Sequence, residues 1–268
     1  MKRQLLSTLF ALWAPMALAL NPYFRGDDVP GGSREAVIET VKAKLKKGGF
    51  HVIGVYIPKG LPHHASIIVT DDGILKAIRD IKGASIAGAG IRIGVKDDGM
   101  VSYINPDYWY RAYFQDGFRR HQKAVEALNT KLQLVLGYKG GFGGDVPAEK
   151  IKDYRYAFGL ERFRDAYQLN RFPGFGAALK TIRDNLRRGV KQTRQVYEVV
   201  MMDEQLAVFG VAMDDPGKGD AAWVEKLIPD HIAAMPYEMY VVKGEAFALH
   251  PRFRIAFSWP ALTMGTFL

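Results

Sequence analysis

One succession of apolar periods occurs twice in this chain, and that repetition constrains its fold more than any other feature. Starting after Ser33, a plausible N-cap, Val37, Ile38, Val41 and Leu45 recur at helical spacing until Gly48-Gly49 stops the run. Phe50 to Tyr56 and Ala65 to Thr70 then read as strands, Leu75 to Ile81 as a short helix, and Ile91 to Val95 with Met100 to Ile104 as a hairpin turned at Asp97-Asp98-Gly99. From Phe175 the order starts again. Ala178, Leu179, Ile182 and Leu186 form the helical stripe and Gly189 stops it. Val196 to Met202 and Leu206 to Ala212 are the strands, a helix falls near Ala221 to Leu227, and Met239 to Val242 with Ala246 to Leu249 close a hairpin. Lys46-Lys47-Gly48 lies opposite Arg187-Arg188-Gly189, Val95-Lys96 opposite Val242-Lys243, Gly99 opposite Gly244, and Asn105-Pro106 opposite His250-Pro251. The pattern predicts an α+β fold of two related α-β-β-α-β-β units in a pseudo-symmetric arrangement. A sheet shared by both units is expected, because a bare edge strand invites aggregation.

The boundaries follow. Lys2 and Arg3 precede an apolar run broken by Pro15, and Ala17-Leu18-Ala19 supplies small residues one position apart, so residues 1–19 read as a secretory signal peptide cleaved after Ala19. The run falls short of the ~20 apolar residues that a membrane span needs. Residues 20–116 make the first unit, 117–174 a helical and Gly-rich insertion, and 175–268 the second unit. Export to a bacterial periplasm or beyond is compatible with a chain that has no cysteine, since an oxidising compartment permits disulfides without requiring them. The missing thiols exclude thiolate metal sites and thiol nucleophiles. Loss of Lys2 and Arg3 lowers the formal charge from +9 to +7. For an exported protein this favours anionic small molecules, acidic envelope proteins or an anionic membrane surface over nucleic acid.

The helix running into Lys46-Lys47-Gly48-Gly49-Phe50, the strand after it, and the hairpin Ile91 to Tyr103 leading to Asn105-Pro106 carry a family likeness. Over residues 34–114 the chain resembles the bacterial domain of unknown function 302 family, with the second unit as a divergent copy. It departs where that family commonly shows a Gly-Asn-Pro-type segment, having Thr70-Asp71-Asp72-Gly73 there. The resemblance implies a compact α+β unit, often exported, with no established reaction.

In the insertion, Phe118, Val125, Leu128, Leu132 and Val135 mark a helix ended by Gly137. Pro147 fits the first position of another, which carries Ile151, Tyr154, Phe158 and Phe163. The glycines from Gly137 to Gly144 are neither a P-loop nor a dinucleotide fingerprint, since no Gly-Lys-Ser/Thr and no βαβ context accompany them, and they read as a linker or lid. His63 and His64, with Asp71, have the donor types that suit Zn²⁺ or Cu²⁺, although adjacent histidines diverge on an extended chain. His250, in the slot of Asn105, reads as a turn former. No nucleophile motif is present.

The densest unusual segment is Tyr103 to Phe114, and the insertion adds further rings and arginines. Aromatic rings with Arg stacked on them suit ligand pockets and partner surfaces. Tyr108, Trp109, Tyr110 and Arg111, with Tyr154 and Arg155, are therefore the candidate ligand-binding residues. The resulting reading is a non-catalytic exported binding or accessory protein without cofactor. It holds an apolar or anionic small molecule, or docks on an envelope partner, in an aromatic and arginine-lined cleft. Two alternatives stand beside it: a periplasmic metal-handling protein using His63, His64 and nearby carboxylates, and an enzyme whose catalytic groups meet only in the folded chain.

Overall fold

The computed structural model describes residues 18–227 and 229–267, so the expected leader lies outside the described residues except for Leu18 and Ala19. The N-terminal half runs β1 (Ala19–Leu20), β2 (Tyr23–Arg25), α1 (Arg34–Lys47), β3 (His51–Tyr56), β4 (His64–Thr70), α2 (Asp72–Ile81), a 3-10 turn at Gly83–Gly88, β5 (Ile91–Lys96), β6 (Val101–Ile104) and α3 (Pro106–Phe114). An intervening segment holds α4 (Phe118–Leu136), β7 (Gly141–Phe142), β8 (Val146–Pro147) and α5 (Ala148–Ile151). The C-terminal half runs β9 (Tyr167–Arg171), α6 (Phe175–Arg187), β10 (Thr193–Met201), β11 (Leu206–Met213), α7 (Asp220–Leu227), a further 3-10 turn at Pro229–Ala234, β12 (Tyr237–Val242), β13 (Glu245–Ala248), α8 (Pro251–Ser258) and α9 (Met264–Phe267). The fold is α+β.

Local chemistry explains the element ends. Ser33 caps α1 by accepting a hydrogen bond from the Ala36 amide at 3.2 Å. Asn105 and His250 cap α3 and α8 in the same way: each side chain accepts from the amide two residues on, and each is followed by proline at the first helical position. Gly137, at φ +79°, ends α4 where a side chain would be strained.

The two halves have separate sheets, which corrects the expectation of a shared one. The strand order is β3-β4-β5-β6-β2-β7 in the first and β10-β11-β12-β13-β9 in the second. Strands β3 to β6 with β2 thus follow the order of β10 to β13 with β9. Two bare edges, β3 and β10, pack on each other where each carries a bulge, at Val52/Gly54 and Gln195/Tyr197. Gly54 is required there, because a Cβ would lie 2.6 Å from the Val196 carbonyl oxygen. Counting along the ladders also moves one sequence match. Ile68 pairs with Arg92 and Gly210 with Glu238, so Arg92 and Glu238 hold the same register position, and Val95 corresponds to Val241 rather than Val242. The N-terminal hairpin is one residue longer at its turn, and Asn105 still corresponds to His250.

Strand alternation sends one face of each sheet outward to a helix. In the second sheet Phe209, Val211, Val241 and Ala246 meet Phe175, Leu179, Ile182 and Leu186 of α6. The inward faces meet at the joint between the halves. There Arg92, Glu238 and Arg254 are almost wholly excluded from water. Glu238 takes an ion pair from each arginine, Arg92 Nε donates to the Ala233 carbonyl at 2.9 Å, and Arg254 donates to the Ala234 carbonyl. Both guanidinium carbons sit over the Trp109 ring, at 4.5 and 5.1 Å.

The insertion differs from its sequence reading. Its second helix ends at Ile151, and Tyr154, Phe158 and Phe163 lie beyond it in irregular chain, with Gly159 at φ +83°. Strands β2 and β9, which precede the first helix of each half, were not anticipated.

Candidate functional site

The site grows out of one difference between the inward faces. On the first sheet the position opposite Ser66 is Gly94, and beside it is Ser102. The 3-10 turn Pro229–Ala234 settles directly on them. A Cβ on Gly94 would lie 2.5 Å from Ile232 Cγ2 and 2.9 Å from the Ala233 nitrogen. At the same register position the second sheet has Tyr240, paired with Phe247, and these rings stack with centroids 5.4 Å apart. The 3-10 turn at Gly83–Gly88 packs against β11 and β12, and its first two residues face these rings across an opening. A hollow of about 740 Å³ remains between Gly83-Ala84, the two rings, the segment Arg171 to Phe175 and the turn Lys243-Gly244.

Connection length adds to the opening. Between β2 and α1 the chain spends residues 26–33, and Val29 and Gly32 hydrogen-bond back to the hairpin turn at Gly99 and Asp97. Between β9 and α6 it spends only residues 172–174, so a shorter stretch of chain lies against the corresponding turn. Gly244 is fitted to this short route: the Phe172 amide donates to its carbonyl at 2.7 Å, and a Cβ there would lie 2.8 Å from the Phe172 carbonyl oxygen.

The hollow has one apolar wall and one positive rim. Phe172, Phe175, Tyr240 and Phe247 supply the wall. Burial pushes the Tyr240 phenol well above its ordinary range, so it stays neutral. On the rim, Arg171 pairs with Glu245 at 2.5 Å, and no ion pair among the described residues engages Lys243. Helix α6 starts at the hollow with no side-chain cap on Gly174, so its first amides and the positive end of its dipole face that way unneutralised. Chemically this arrangement suits a flat or apolar group bearing an anion.

The residues singled out from sequence do not share one cleft. Tyr108, Trp109 and Tyr110 are fully buried. Their polar atoms donate to the carbonyls of Phe257, Pro22 and Gly88 at 2.8 to 2.9 Å, as buried aromatic donors require. Tyr154 joins the same core, 5.4 Å from the Phe257 ring that stacks on Tyr108, and donates to the Ala256 carbonyl. Arg111 turns away to Asp107 and the Phe118 face, in a hollow of about 650 Å³, and Arg155 lies over Phe158 beside a different one of about 570 Å³, which Tyr154 lines with it. The three candidate metal ligands separate as well. His63 is exposed and pairs with Asp97 at 2.5 Å. His64 is buried in β4, and Asp71 caps α2 while accepting from Lys131 at 2.8 Å. Among the described residues, no group of three or more metal-ligating side chains is placed to hold an ion.

A neighbouring pair of buried carboxylates, a feature that would favour an enzyme, does occur: Asp214 and Asp220. Asp214 lines a hollow of about 400 Å³ beside Lys59, but Asp220 is closed off from it.

Reading the sequence alone missed Tyr240, Lys243 and Phe247, because their chemistry lies in a short hairpin that reads as ordinary strand. The available signal was the dense pairing of Arg171-Phe172 with Pro173-Gly174 directly before a helix that has no capping side chain. No family model matches the chain, and no curated protein or solved structure matches it.

Proposed function

We propose that the protein is a non-catalytic binding protein for a small molecule that joins an aromatic or apolar body to a carboxylate or phosphate. The observation that carries this reading is the hollow at Tyr240, Phe247 and Lys243. Its volume of about 740 Å³ lies within the ~300–1,000 Å³ of small-molecule sites. The uncapped start of α6 adds an anion-favouring field to the Lys243 charge. This is the small-molecule form of the binding function expected from the sequence, at a different address from the one expected.

In this reading the chain is exported to the bacterial periplasm or beyond, and its halves are two copies of one α+β unit related by a pseudo-twofold axis. The common strand order and the Asn105/His250 caps support the duplication. The Lys-Arg start and the Ala17-Leu18-Ala19 site support export, which the mass of the secreted chain tests: a chain retaining residues 1–19 overturns it.

Calorimetric titration with benzoate, phenyl phosphate and inorganic phosphate tests the binding function. The two aromatic anions should bind at micromolar to millimolar concentration and phosphate more weakly. Lys243→Ala should weaken both aromatic anions without shifting the melting temperature. Failure of wild type to bind either aromatic anion, or unchanged binding by Lys243→Ala, overturns the reading.

A further inference from the structure

The end of β3 is fastened to the C-terminal half by a group that the binding hollow does not use. Tyr56, fully buried, donates its hydroxyl to Asp220 Oδ2 at the start of α7, and that oxygen also accepts the Met213 amide at 3.0 Å. Arg194 of β10 bridges the same junction. Its Nε donates to Asp214 Oδ2 at 2.8 Å, and a terminal nitrogen donates to the Ile57 carbonyl at 3.0 Å. The remaining carboxylate oxygens, Oδ1 of Asp214 and Oδ1 of Asp220, are both buried without a hydrogen-bond partner.

With both carboxylates ionised, the junction buries two negative charges against one guanidinium. A proton on Asp220 makes it neutral and converts an orphaned acceptor into a donor. The other charged groups nearby do not take over this role. Asp215 is held by the Gly217 and Lys218 amides and by Gln192 Nε2, and Lys59 stands exposed at the rim of the neighbouring hollow.

We propose that Asp220, with Asp214 and Tyr56, forms a proton-operated clasp that ties the end of β3 to the start of α7 and slackens when the proton leaves. Burial, reinforced by the Asp214 charge, raises Asp220 to about 6, against the pull of the Tyr56 and Met213 hydrogen bonds. The sign follows from this direction. When the clasp opens, Asp220 returns to its ordinary acidity, so the closed form binds the proton more tightly. Below the ordinary carboxylate pKa of ~4 both forms are protonated and closing carries no penalty. The penalty grows as pH rises towards about 6 and is complete above it. Between pH ~4.5 and ~7.5 the local opening equilibrium should rise roughly 25-fold.

Hydrogen exchange of the intact protein, corrected for the intrinsic pH dependence of amide exchange, reads that equilibrium at the Met213 amide. Wild type should show the rise. Asp220→Asn, which keeps the shape and cannot ionise, should stay closed and flat across the range, and Asp215→Asn should leave the wild-type profile unchanged. A flat wild-type profile, or a wild-type slope surviving in Asp220→Asn, overturns the clasp. Should Asp220→Asn fail to fold, a carboxyl-carbon NMR titration of wild type decides the matter: a midpoint near 6 supports the clasp and one below ~4.5 overturns it.

Discussion

The first sheet presents Gly94 and Ser102 to its opposing 3-10 turn, and the second presents Tyr240 and Phe247 at the same ladder positions. The small residues let backbone settle on backbone, leaving no room for a Cβ. Beside the large ones a hollow lies between turn and sheet. One strand order thus yields a sealed face and an open one, and the difference rests on two side chains and a shortened connection. In the proposed reading, binding arises as a local departure from a common strand order, so it is sought where the halves disagree.

The largest effect should come from breaking what both halves depend on. Glu238→Gln leaves the guanidiniums of Arg92 and Arg254 buried without their counter-charge, and removing one partner of such a cluster costs about 3–5 kcal/mol. Urea unfolding should report that loss. A change below ~1 kcal/mol would mean that water or rearrangement rescues the pair.

Filling the sealed face should cost less. Gly94→Val forces a side chain against Ile232 and the Ala233 backbone, an overpacking worth roughly 1–3 kcal/mol. Tyr240→Phe, at the same register position, removes only a hydroxyl and should stay within about 0.5 kcal/mol of wild type. Thermal unfolding of the two variants gives the contrast, and equal costs would erase the proposed asymmetry.

The first helices of the halves offer a third contrast. Ser33→Ala removes the cap of α1 and should cost about 1 kcal/mol by chemical denaturation. A smaller effect of opposite sign is expected at the uncapped counterpart. The space around Gly174 is open and its backbone is extended, so Gly174→Asp fits and places a negative charge at the start of α6. A gain of about 0.5 kcal/mol is expected, together with at least tenfold weaker binding of phenyl phosphate as the carboxylate takes the anion's place. Unchanged binding would remove the helix terminus from the site.

Much of this framework is legible in the amino-acid order. Val37, Val41 and Leu45 show α1 by their spacing, and Ser33 and Gly48 frame it, because capping and periodicity are local properties. The hairpins are equally visible from their turns. Strands β2 and β9 are not, since three and five residues carry no readable alternation and β9 is exposed throughout. Tyr108, Trp109 and Tyr110 show why a ring cluster is ambiguous: α3 is covered on nearly every side, and no periodic gap separates an inward face from an outward one. The buried cluster cannot be read from either end of the chain, because Glu238 neutralises Arg92 across the joint and Arg254 within its own half. The hollow draws its walls from positions as far apart as Gly83 and Phe247, so no window of sequence contains it.

The joint also sets a constraint in time. Arg92 and Glu238 are separated by 146 positions, and closing so long a loop pays its entropy before any contact rewards it. As the chain is made from its N-terminus, β5 must wait with an unmatched guanidinium until β12 exists. The first sheet therefore has to hold together on its own hydrogen bonds while its inward face is still wet. Docking of the halves becomes a late event, and an N-terminal fragment ending before Glu238 would carry an exposed cationic face that the finished protein never shows.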